Sequence, residues 1–258
     1  MRSPSLRCDC PRWASFSPGD DGVSSSIQIF LLVAPILLFS MVAHEYAHGY
    51  AAYRQGDDTA LLLGRLTWNP LRHIDPFMTV ILPVFLLISH APFIFGGAKP
   101  VPVNPAKYRH LRRGDIIVSM AGIVTNLVIA ALLVPTIIGL GVLGRALPAL
   151  NDTCSLVQVM FTFGIIINLA LAGFNLIPIP PLDGSHVMKY LLPSRWAAGY
   201  ERLARFGFFL VVALILFGRP LLTAWMTPFI FLIRVALTAL SPFLLSSPWA
   251  NLMSQWIS

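Results

Sequence analysis

Charge is scarce in this chain. Only 11% of its 258 residues are Asp, Glu, Lys or Arg, and 56% are hydrophobic. A soluble domain carries about 25% charge, so a chain facing water on all sides is excluded. Glutamate is rarest of all: Glu45 and Glu201 are the whole supply. Cysteine is nearly absent, and Cys8, Cys10 and Cys154 make no disulfide framework. Cys8-Asp9-Cys10 lacks the spacing and setting of a metal site. Negative charge is outweighed, leaving a formal net charge of +7. The basic residues are spread over short loops between apolar runs, so contact with anionic lipid headgroups explains them and no nucleic-acid partner is implied. The first 26 residues lack the apolar core of a secretory signal peptide.

What remains is apolar length. With a mean hydropathy of +0.74, the chain reads as an all-α polytopic membrane protein embedded in the lipid bilayer. Residues 1–26, rich in Ser, Pro, Gly and Asp, read as a disordered tail. Residues 27–258 read as one membrane-embedded domain, with a core over 27–193 and C-terminal helices over 204–246. Ile27 to about Tyr53 suits one long helix. Residues 54–76 are polar and broken by Gly56, Gly64 and Asn69-Pro70. Phe77–Phe95 is apolar but holds Pro83 and Pro92. Pro100, Pro102 and Pro105 forbid a helix and favour extended structure, here a short β-strand or hairpin near 93–103. Spans are expected over Ile116–Leu143, Leu156–Ile177, 206–225 and 228–246. Residues 145–155 read as a loop and 185–205 as amphipathic.

One five-residue run stands apart: His44-Glu45-Tyr46-Ala47-His48. In a helix, positions 44 and 48 share one face, and two imidazoles there can grip one zinc ion. Glu45 lies beside them, where a carboxylate can accept a proton from water activated by the metal. A charge inside apolar sequence is costly and asks for a reason. A catalytic zinc needs a third protein ligand. Asp183, just after a span and in a Pro-broken stretch, is a candidate, and equally an N-cap of the next helix. His186 is the runner-up. Asp115 and Asp152 read as solvated loop charges, and Asp75 as the cap of a following helix. Spacing does not separate these readings.

The pentapeptide taken with Phe174-Asn175-Leu176-Ile177-Pro178-Ile179-Pro180-Pro181-Leu182-Asp183-Gly184 resembles the site-2 protease family, the intramembrane zinc metalloproteases. Further matching features are Gly56-Asp57, Gly64-Arg65, Asn69-Pro70, His73-Ile74-Asp75-Pro76, Ala98 to Pro105, and Ala121-Gly122 with Asn126. The likeness is to the compact prokaryotic branch without PDZ or CBS modules. It implies zinc held by His44, His48 and Asp183, with Glu45 as catalytic base. It also implies a substrate-binding role for Asn175 and a supporting one near the site for Asn126. The implied activity is hydrolysis of a peptide bond in or near a transmembrane segment of a membrane-protein substrate. Ile123, Asp58 and Gly97 depart from the family pattern without touching a ligand or the base. A metal-handling membrane protein or transporter, or an inactive scaffold of this family, is the competing expectation.

A shared ion constrains topology. If His44, His48 and Asp183 meet, the spans preceding them run parallel. Phe77–Phe95 is then re-entrant, leaving five full crossings rather than six. The positive-inside rule puts 54–76, 99–115 and 185–205, and the site with them, on the cytoplasmic side of a multi-pass cell-membrane protein. Oligomeric state has no sequence signal.

Overall fold

The computed structural model describes residues 21–76, 81 and 97–246, with side chains from Phe30 onward. Expectations for residues 1–20, for the re-entrant stretch 77–95 and for the first half of the 93–103 hairpin fall outside those residues.

The described residues form an all-α protein. Its helices are α1 (Asp21–Gln55), α2 (Thr59–Leu62), α3 (Leu111–Ala146), α4 (Asn151–Asn175), α5 (Asp183–Leu191), α6 (Ser194–Leu203), α7 (Gly207–Phe217) and α8 (Arg219–Leu240). Four of them are long and apolar enough to cross a membrane: α1, α3, α4 and α8. At 1.5 Å per residue the 36 residues of α3 extend about 54 Å, well beyond a ~30 Å hydrocarbon layer. Leu132 on α3 and Phe231 on α8 point outward, as lipid-facing side chains do.

α1, α3 and α4 pack as a three-helix core, with α8 against α4. Small residues let the backbones close up, as is common between membrane helices. A Cβ on Gly164 of α4 would lie 2.8 Å from Ile36 of α1 and from Leu133 of α3. Ala130, Leu133, Ile137, Ile165, Leu169 and Leu240 fill the middle of the bundle. At the end away from His44, Gln158 donates to the carbonyls of Ile137 and Phe243 and accepts from Leu245 N–H. That side chain ties the C-terminal stretch to the bundle with its amide fully used.

Several boundaries differ from the sequence expectation. The first helix starts at Asp21, so residues 21–26 are helical rather than part of a tail. The expected 145–155 loop shrinks to 147–150, because Asn151 to Ser155 already belong to α4. The expected span over 206–225 is not one helix. It breaks at Gly218, where α7 ends after 11 residues and α8 begins with Pro220 in its first turn. Pro suits a first turn, where its missing N–H has no partner to lose. The second expected span, 228–246, begins inside α8, which runs on through Pro228. Leu214 of α7 and Leu222 of α8 share one apolar cluster with Ile177 and Leu182, so α7 stays at one end of the bundle.

Residues 97–104 form neither helix nor ladder among the described residues. Their N–H groups are used otherwise. Lys99 N–H donates to His73 O and Asn104 N–H to Asp57, while Arg65 donates to the carbonyls of Lys99 and Pro100. Pro100 and Pro102 have no N–H to offer. The segment is thus strapped against the end of α1 by side chains and backbone.

Candidate metal centre

His44 and His48 sit one turn apart on α1, both under 10% exposed. Their rings meet edge to face, and the two Nε2 atoms are 3.0 Å apart. Asp183, the first residue of α5, brings Oδ2 to 3.3 Å from each Nε2. Yet that oxygen is buried and has no hydrogen-bond partner. Three donor atoms thus converge within 4.8 Å of one another. A tetrahedral zinc with bonds of about 2.0–2.1 Å spaces its ligand atoms about 3.3 Å apart. The two carboxylate–imidazole separations match that spacing, and the donor set is one that zinc takes. A buried carboxylate oxygen facing two ring nitrogens without hydrogen-bond geometry is the arrangement a cation resolves.

The tautomers follow from outer contacts. His48 Nδ1 lies 2.7 Å from the backbone carbonyl of Val118. A carbonyl only accepts, so Nδ1 carries the proton and Nε2 keeps its lone pair for metal. His44 Nδ1 lies 3.1 Å from the amide of Asn126, whose Oδ1 is buried and unpartnered. A half-turn of that amide brings Oδ1 to Nδ1–H, and His44 Nε2 is then bare as well. Asn126 has no exposed surface to offer a substrate. It stands behind His44.

α3 therefore supplies the backing for both imidazoles. Val118 and Asn126 flank Gly122 at four residues either way, and all three lie on one buried face. Gly122 is where the rings press against the helix.

Asp183 is not an N-cap. Leu182 takes that position, no side-chain cap bond forms there, and Asp183 is the first helical residue. Burial disfavours its charge, but the two imidazoles hold its carboxyl well below the usual carboxylate range. It stays ionised at neutral pH. Gly184 keeps α5 tight against the end of α4: a Cβ there would overlap the backbone carbonyls of Leu176 and Ile177. Gly184→Ala is expected to push Asp183 away from the imidazoles. Metal analysis should show zinc content well below one per chain, with the helical circular-dichroism signal kept.

Glu45 is half-buried and points elsewhere. Its Oε2 accepts from Val101 N–H at 2.8 Å, so the 97–104 segment is laid against it. Asn175, the last residue of α4, donates to its own helix at Leu171 O. His186, the runner-up ligand, does not approach the imidazoles; it faces Asp115 at 3.2 Å. Asp115, expected as a solvated loop charge, is 2% exposed and inside α3. It is buried because Lys189 neutralises it at 2.6 Å. Asp152 remains an exposed acid in the first turn of α4.

Comparison with known proteins places the chain among zinc metalloproteases by likeness. The pattern described as Peptidase family M50 matches residues 149–218. YwhC of Bacillus subtilis is 37% identical over 196 residues, covering 76% of this chain and 83% of that protein. Rip2 of Mycolicibacterium smegmatis is 33% identical over 211 residues, covering 78% of this chain and 72% of that protein. Both bear the name "putative zinc metalloprotease". MJ0611 of Methanocaldococcus jannaschii is 60% identical over 35 residues, 14% of this chain and 18% of that protein. No solved structure matches the chain. Zinc is the metal these names give, and the donor set fits it.

Proposed function

The chain belongs to peptidase family M50, the site-2 protease family, and from that premise we propose that it is an intramembrane zinc metalloprotease. It hydrolyses a peptide bond within or near a transmembrane segment of a membrane-protein substrate. The observation that carries this is the convergence of His44, His48 and Asp183, with Glu45, the residue next to His44 in the chain, outside the donor set.

His44 Nε2, His48 Nε2 and Asp183 Oδ2 are the ligands. Zinc held there supplies Lewis acidity to a water and to the scissile carbonyl. Val118 O and Asn126 hold the two rings in the tautomer that leaves Nε2 free. Glu45 accepts the proton of the attacking water and returns it to the leaving amine. The N–H of Val101 orients its carboxylate by engaging Oε2. A helical substrate hides its carbonyls, so the cleaved segment unwinds and needs backbone partners. It lies alongside residues 97–104, with the Asn175 amide contributing from the end of α4.

Four long helices, α1, α3, α4 and α8, cross the bilayer, and residues 27–258 form one domain. His73 O accepts from Lys99 N–H at 2.8 Å, so the stretch between them begins and ends at one level. α7, about 16 Å long at 1.5 Å per residue, is too short to cross. The site faces the cytoplasm. Twelve of the 18 Lys and Arg lie in 54–76, 99–115 and 185–205, at the site end. Tyr46 stacks on Trp68 with ring centroids 4.5 Å apart, and these are the residue types that favour the membrane–water interface.

The test is cleavage by the purified full chain in proteoliposomes carrying a single-pass membrane protein. Mass spectrometry is expected to place the cut in or beside the apolar segment. Stripping zinc with a chelator should stop it, and added zinc should restore it. Cleavage that continues in zinc-stripped protein would sink the proposal.

A further inference from the structure

We propose that Asp115 is a positioning residue for Asp183. From the start of α3 its carboxylate fixes α5 in the pose that turns Asp183 toward the two imidazoles. This rests on Asp183 being a zinc ligand.

α5 is nine residues long and begins with the ligand itself. Its first residue can be no better placed than the helix as a whole. Ahead of it runs a proline-rich turn, and behind it α6 buries no residue. Three side chains of α5 converge on Asp115. His186 Nδ1 approaches Oδ1 at 3.2 Å. Lys189 Nζ is 2.6 Å from Oδ2, and Tyr190 O–H donates to the same oxygen at 3.1 Å. Arg112, one turn earlier on α3, donates to Tyr190 O at 3.2 Å. Residues 183, 186 and 190 follow the helical repeat, so the face that meets Asp115 is the face that carries the ligand.

α3 is common to both halves of the centre. Positions 115, 118, 122 and 126 lie along one buried face. Val118 and Asn126 hold the imidazoles, Gly122 makes room for them, and Asp115 holds α5. One rigid helix therefore contacts both the histidine pair and the α5 helix that carries Asp183.

A buried ion pair could serve stability alone. The two roles separate on metal affinity. Partners that orient ligands from outside the coordination sphere change metal affinity about 10–100-fold when replaced. A contact that merely stabilises lowers the melting temperature and leaves the zinc affinity of folded molecules alone.

The test is zinc competition against a chromogenic chelator, with the full chain in detergent and its fold followed by circular dichroism. Asp115→Asn is expected to weaken zinc binding about 10–100-fold. It also strands the Lys189 charge, so Asp115→Asn/Lys189→Gln is measured beside it. That pair should restore thermal stability yet keep zinc binding at least about 10-fold weaker. If the folded double variant binds zinc within about twofold of wild type, Asp115 does not position the ligand. Asp183→Ala serves as reference and should lose zinc altogether. Wild-type affinity in Asp183→Ala would remove the ligand assignment itself, a failure distinct from that of Asp115.

Discussion

Replacing Gly122 by Ala is expected to strip the zinc from this protein and abolish cleavage. The added methyl carbon would lie 2.5 Å from both His44 Cε1 and His48 Nε2, and 2.7 Å from His44 Nδ1. All three contacts are far inside van der Waals range, and two fall on atoms that cannot yield cheaply. The rings are held to α3 by Val118 O and Asn126, four residues to either side of Gly122. Moving the helix back breaks those hydrogen bonds, and moving the rings breaks the convergence with Asp183. Zinc affinity should fall by 100-fold or more, on the order of the largest losses seen for ligand-orienting groups. Gly139→Ala is the matched control. It lies on the same helix, nothing stands within 4 Å of its would-be Cβ, and Ala favours helix over Gly by about 1 kcal/mol. Metal analysis should find zinc retained in Gly139→Ala and lost in Gly122→Ala. Full zinc in Gly122→Ala would mean that α3 does not back the imidazoles.

The histidine pair could be read from sequence because helical periodicity alone puts residues four apart on one face. Asp183 could not be reached that way. Its neighbour in space lies more than 130 residues away, and only the family resemblance singled it out from a cap. The competing candidates went wrong for a common reason. Asp115 and His186 look like a loop charge and a spare ligand until α3 and α5 are packed, when each satisfies the other. The signal was present in part: Asp115, Gly122 and Asn126 repeat at seven and eleven residues in an otherwise apolar helix, the spacing of one face. Val118 left no trace, because it acts through a carbonyl that every residue owns. The C-terminal spans expected over 206–225 and 228–246 divide instead at Gly218. A helix tolerates an interior proline where neighbouring helices support it, and Gly218 with Pro220 offered a better place to stop and restart. Among the described residues of the expected strand near residue 100, Val101 N–H donates to Glu45, Lys99 N–H to His73 O and Asn104 N–H to Asp57.

Glu45→Gln should separate proteolysis from every metal-handling alternative. Glu45 follows His44 directly, so it projects about 100° around α1 from it and stays clear of the donor set. Its Oε2 accepts from Val101 N–H. The Gln side chain has the same shape, and its amide oxygen can take that same hydrogen bond. The strap over 97–104 should therefore stay seated, and His44, His48 and Asp183 are untouched. What is lost is the proton acceptor: an amide cannot take a proton from water at neutral pH. Removing general base catalysis costs about 10²–10⁴-fold, so single-turnover cleavage of a transmembrane substrate should fall at least that far. Zinc should remain at one ion per chain. A protein that merely binds or moves zinc has no need of a carboxylate that stands beside the ion without ligating it, and its zinc flux into vesicles would survive the substitution unchanged. Cleavage at the wild-type rate by zinc-loaded Glu45→Gln would end the case for Glu45 as the base.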